Sequence, residues 1–159
     1  MHNKLMSSKA LLIKSIISMF ILPAFLYAGS IELANLNPTN QTVDVLYDFS
    51  DGDVAGFQFD ISGLTLTGAS GGDAESSGFD VAVGSSTVLG FSWTGDTVPS
   101  GSGVLTTLSY DSINNTEACV SSVVLTAPAG SAEYEAIAGP CISTDPELFA
   151  DLYLGAFDP

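Results

Sequence analysis

Gln41-Thr42-Val43-Asp44-Val45-Leu46-Tyr47-Asp48-Phe49-Ser50-Asp51-Gly52-Asp53-Val54-Ala55-Gly56-Phe57-Gln58-Phe59-Asp60-Ile61 is the stretch on which the fold turns. Val43, Val45, Tyr47 and Phe49 alternate with Thr42, Asp44 and Asp48, and Phe57, Phe59 and Ile61 alternate with Gly56, Gln58 and Asp60. Period-2 alternation puts one side of each run in a core and the other in water, as in a half-buried β-strand. Ser50-Asp51-Gly52-Asp53 between them is turn-forming by composition. The two runs are therefore expected to pair as an antiparallel hairpin.

The same grammar extends in both directions. Ser30–Leu36 precedes the turn Asn37-Pro38-Thr39-Asn40, and Leu64 and Leu66 alternate with threonines before a Gly/Ser-rich loop over 68–78. Phe79, Val81 and Val83 form another run, and Leu89, Phe91 and Trp93 another. A loop over 94–103 leads to a strand at Val104–Tyr110, then a turn at Asp111–Asn115, and Val120–Thr126 and Tyr134–Ala138 supply the last strands. Short strands about 8–12 residues apart, with turn signals between them, predict an all-β antiparallel sandwich spanning residues 29–142. No helical period is expected before residue 144. In the tail, residues 143–159, Thr144 or Asp145 can cap a helix or linker whose one face carries Leu148, Phe149, Leu152 and Tyr153.

Charge narrows the chemistry. The chain of 159 residues has 3 Lys+Arg and 18 Asp+Glu, a net charge of −15. Lys4, Lys9, Lys14 and the lone His2 all precede residue 15, and every acid follows residue 31. The cationic start, the apolar Ile16–Leu22 and the small residue Ala28 describe a secretory signal peptide over 1–28, too short in its apolar part for a membrane anchor. Its removal leaves 18 acidic side chains and no cationic one. Such a chain cannot neutralise phosphates, which excludes nucleic acid, and cannot assemble histidine- or lysine-dependent catalysis. The protein is read as secreted or held at the cell surface, and not as an enzyme.

Export suits the two cysteines. Cys119 and Cys141 are expected to form a disulfide in an oxidising compartment, since no cation is present to activate a free thiol. Asp48, Asp51 and Asp53, gathered around Gly52, are a candidate calcium site, although their spacing is not that of an EF-hand. Trp93, in register with Leu89 and Phe91, is placed in the core, which leaves Tyr110, Tyr134 and Tyr153 as candidate rings for a sugar face.

The segments Val43-Asp44-Val45-Leu46-Tyr47, Val54-Ala55-Gly56-Phe57-Gln58-Phe59-Asp60-Ile61, Val88-Leu89-Gly90-Phe91-Ser92-Trp93, Gly103–Tyr110 and Val123-Val124-Leu125 occur in an order that resembles cohesin-type modules of the carbohydrate-binding-like β-sandwich superfamily. The Ala55–Asp60 segment is the most distinctive. The resemblance covers roughly residues 31–138. It implies a nine-stranded jelly-roll whose flat face docks a small calcium-loaded protein, the dockerin. It also implies a non-catalytic role in protein–protein adhesion or assembly. A carbohydrate-binding module acting on extracellular polysaccharide, and a self-associating structural subunit, are the alternatives. The disulfide and the lack of cations depart from the family pattern.

Overall fold

The computed structural model describes residues 29–50, 52–130 and 133–145. The expected signal peptide and the residues of the tail from Pro146 onward lie outside them. Among the described residues no helix is long and apolar enough to cross a membrane.

Among the described residues eleven strands form two facing sheets: β1 (Gly29–Asn37), β2 (Thr42–Phe49), β3 (Gly56–Ser62), β4 (Leu64–Ser70), β5 (Asp80–Val83), β6 (Thr87–Phe91), β7 (Gly101–Ile113), β8 (Glu117–Thr126), β9 (Glu133–Tyr134), β10 (Ala136–Ala138) and β11 (Ile142–Ser143). One sheet runs β10-β1-β2-β7-β4 and the other β11-β8-β3-β6-β5, with β9 beside β8. All pairings are antiparallel except β1 with β10. The expected all-β sandwich is thus present. The strands beyond the nine that the resemblance implies are accounted for by very short ones such as β9 and β11.

The hairpin expected of the opening stretch does not form. β2 pairs with β1 and β7, whereas β3 pairs with β6 and β8, so the two runs lie in different sheets. Both carry large apolar faces, and those faces meet across the core instead of lying side by side. The connection is long enough to cross between layers and is pinned there. Val54 bridges to Val98, and the Asp53 carboxylate accepts the Ser100 N–H at 2.9 Å. The alternation itself carries through to the structure: Val43, Val45, Tyr47, Phe49, Phe57, Phe59 and Ile61 are all buried. The Phe57 ring stacks on Phe79 at 5.8 Å and 3°.

A short helix interrupts the predicted Gly/Ser loop. α1 (Gly72–Ser76) is a single turn carrying one buried residue, Ala74. Five residues are too few to show an amphipathic period, which is why the sequence reads as loop. α1 is tied to the sandwich by Tyr47, whose hydroxyl donates to Asp73 Oδ2 at 2.8 Å. Burial pushes the Tyr47 phenol up to about 12, helped by that hydrogen bond and by repulsion from the Asp73 charge.

An unfolded tyrosine ionises near pH 10. Above that the folded state holds a proton the unfolded state has released. This contribution is complete below about pH 10 and is lost as pH rises toward 12. Urea midpoints measured from pH 8 to 12 are expected to fall through this window, and Tyr47→Phe should flatten part of the fall. Tyr110, raised by burial alone, supplies more of it.

Cys119, on β8, and Cys141, just before β11, form the predicted disulfide. It fastens the short strand β11 to the sheet. Beyond it Thr144 is buried, with its N–H donating to Thr116 O at 3.0 Å and its hydroxyl to Asn115 O. In the described residues Thr144 thus anchors the strand end.

Candidate binding face

With no Lys, Arg or His after residue 28, carboxylates find their partners among hydroxyls and amides. Asp44 accepts from Thr107 at 2.7 Å and from Asn35 at 3.0 Å, Asp60 from Thr87 at 2.6 Å, and Asp73 from Tyr47. Among the described residues no buried side-chain polar atom is left without a hydrogen-bond partner. These acids hold strands and turns together.

The calcium candidate falls partly outside the described residues. Asp51 lies outside the described residues. Asp48 is exposed at the end of β2 and borders a shallow depression of about 450 Å³ with Glu32, Leu46 and Val104. Asp53 spends a carboxylate oxygen on Ser100. Among the described residues the one grouping of three metal-ligand types is Glu117, Cys119 and Cys141. The disulfide joins its two sulfurs, which leaves a single carboxylate.

The aromatic assignments change most. Tyr110 is buried. The Tyr134 hydroxyl donates to Asp53 O at 3.2 Å, and Tyr153 lies outside the described residues. Trp93, expected in the core, is 82 % exposed, and Leu89 is 41 % exposed. The reason is Gly90. In β6 the inward positions are Val88 and Gly90, both buried, and a Cβ at Gly90 would fall inside the Phe57 ring. Phe57 fills the space a side chain on β6 would otherwise take. Leu89, Phe91 and Trp93 are thereby turned outward, and a hydrophobicity count that ignores Gly90 assigns the wrong face.

The result is an outward-facing apolar patch on the β8-β3-β6-β5 sheet. Cross-strand partners share a face, so Leu89 lies between Gln58 and Ala82, and Phe91 between Gly56 and Asp80. Val124 continues the row on β8, opposite Gln58. Phe91 and Trp93 meet edge to face at 5.0 Å and 85°.

Trp93 stands on a turn closed by its neighbours. Ser92 Oγ accepts the N–H groups of Thr94 at 3.3 Å and Asp96 at 3.2 Å, and donates to Asp96 Oδ2 at 3.1 Å. The Thr94 hydroxyl also donates to Asp96. Hydrogen bonds from Thr94 and then Ser92 hold the Asp96 carboxyl below the usual carboxylate range. A tryptophan this exposed contributes little to folding, so Trp93→Ala is expected to change stability by less than about 1 kcal/mol in chemical denaturation.

No protein-family model matches the chain, nor does any curated protein. Among solved structures, a chain of a dockerin–cohesin complex crystallised at pH 5.5 aligns with a TM-score of 0.50 at 15% identity, over 74% of this chain and 99% of that one. A non-cellulosomal cohesin from the hyperthermophilic archaeon Archaeoglobus fulgidus aligns with a TM-score of 0.54 at 14% identity, over 79% of this chain and 97% of that one. The sandwich therefore has the cohesin-type fold, as the order of its strand segments implied.

Proposed function

We propose that the protein is a secreted or surface-held, non-catalytic module that binds another protein through the outer face of the β8-β3-β6-β5 sheet. The observation that carries this reading is the exposure of Trp93, on the turn that follows β6, beside Phe91 and Leu89 on the outward side of that strand. Exposed apolar groups contiguous on a rigid sheet mark interaction sites, and tryptophan is among the residues most enriched at binding hot spots. The likeness to a chain of a dockerin–cohesin complex supports a protein partner, of which a dockerin is the first candidate. The signal-peptide pattern and the disulfide support work outside the cytoplasm. Calcium, proposed at Asp48, Asp51 and Asp53, would not belong to this face, since Asp48 lies on β2 of the opposite sheet.

The exposed indole also favours a second reading, since an aromatic ring on a flat sheet can stack on a sugar. One experiment separates the two. A photo-reactive phenylalanine analogue is placed at Ala82, beside Leu89, and as a control at Ser102 on the opposite sheet. Irradiation in the source culture is expected to give a discrete protein adduct from Ala82 alone, abolished by Trp93→Ala. A glycan adduct from Ala82 would replace the protein-binding reading with the carbohydrate one, and no adduct there would overturn both.

A further inference from the structure

The patch at Leu89, Phe91 and Trp93 is bordered by carboxylates. Asp60 and Asp80 are on the same outer face, opposite Thr87 and Phe91 respectively, and Asp96 closes the Trp93 turn. No cation follows residue 28, so this part of the chain neutralises none of them. The contacts to Asp60 and Asp96 come from neutral hydroxyls of Thr87, Ser92 and Thr94, which orient the carboxylates without cancelling their charge. The surface is thus apolar at its centre and anionic at its border, on a turn and sheet already held in place.

Resting on the reading of this face as a protein-docking surface, we propose that its partner is a cationic amphipathic segment. Its apolar side chains cover Leu89, Phe91 and Trp93, and its Lys or Arg groups meet Asp60, Asp80 and Asp96. Every interfacial ion pair must take its cation from the partner, because this side has none to give. Charge complementarity of this kind mainly selects the partner and speeds encounter, while the aromatic centre holds the complex. The fixed turn lowers the ordering cost of presenting the indole. A second copy of the chain is the wrong occupant, since it would bring like charge to an acidic border. An anionic lipid surface is disfavoured for the same reason.

Trp93 is the chain's only tryptophan, so its fluorescence reports on this face directly. Purified protein is titrated with three 18-residue helical peptides: leucine with lysine, leucine with glutamine, and leucine with glutamate. The lysine peptide is expected to shift Trp93 emission to the blue and to saturate. Asp80→Asn with Asp96→Asn should weaken that binding about tenfold. Glu32→Gln with Asp111→Asn, an equal change of charge on the opposite sheet, should weaken it less than twofold.

Equal weakening by the two pairs would mean general attraction to an anionic protein and would overturn the proposal. Equal binding of the glutamine peptide would remove the cation requirement and leave apolar docking in place. If no peptide moves Trp93 while the Ala82 probe still captures a protein, the docking face stands and the cationic partner falls. If the probe captures nothing either, both fall. A blue shift that grows with protein concentration alone would identify a second copy as the occupant.

Discussion

Gly90→Val is expected to destabilise the sandwich by about 3 kcal/mol or more, and to do so without touching any exposed residue of the binding face. A Cβ at this position meets the ring of Phe57. That ring cannot withdraw, because it also stacks on Phe79 and contacts Phe59. Overpacking a rigid core typically costs about 1–3 kcal/mol, and a branched side chain at a position that excludes even a methyl group sits at the upper end or above it. Denaturant unfolding of the variant measures the cost. Gly90→Val combined with Phe57→Ala should recover part of it, since the truncated ring leaves room for the new side chain. If the single variant is as stable as the parent, β6 is not packed against Phe57 as described, and the outward orientation of Leu89, Phe91 and Trp93 loses its cause.

Removing the disulfide has an effect of the same order by a different route. The bridge joins residues 22 apart in sequence, and closing a loop of that length restricts the unfolded chain by about 3 kcal/mol. Cys119→Ser with Cys141→Ser is expected to lower stability by roughly that amount. The loss should appear first at β11, because its two residues pair only with Ala118 and Glu117 at the start of β8. Hydrogen exchange at Ile142 and Thr144 should accelerate before that of β2 or β3. Reduction of the parent protein should reproduce the loss. Uniform acceleration across both sheets would show that the bridge supports the whole sandwich and not one edge.

Where the sequence alternates with bulky side chains on one side only, its reading carries through to the structure. Val43, Val45, Tyr47 and Phe49 leave β2 a single way to face the core, and Phe57, Phe59 and Ile61 do the same for β3. Alternation says which way a strand faces, though, and not which strand lies beside it. Partners are chosen by crossings such as that from Phe49 to Gly56, whose pinning by Val98 and Ser100 comes from residues more than forty positions away. β6 failed for a subtler reason. Its apolar series Leu89, Phe91, Trp93 outweighs Val88 and Gly90 in hydrophobicity, yet the glycine is the inward residue because a ring from β3 occupies its side-chain space. The clue was present in Gly90 itself, since glycine inside a strand often marks the close approach of another group. Leu89, Phe91 and Trp93 are therefore legible as an alternating run but not as a site: read as core, they leave the candidate rings to Tyr110, which is buried, Tyr134 and Tyr153. The carboxylate roles were hidden as well: the hydroxyl partners of Asp44 and Asp60 lie 63 and 27 residues away.

The parallel pairing of β1 with β10 sets the order in which the molecule can be finished. Gly29, Ser30 and Ile31 align with Ala136, Ile137 and Ala138, so the earliest strand waits for nearly the latest one before its open edge is closed. Topologies dominated by such distant pairings fold slowly, on the order of milliseconds to seconds. While residues 136–138 are still undelivered, β1 keeps an unpaired edge, and a polypeptide cut short before them would be left with it.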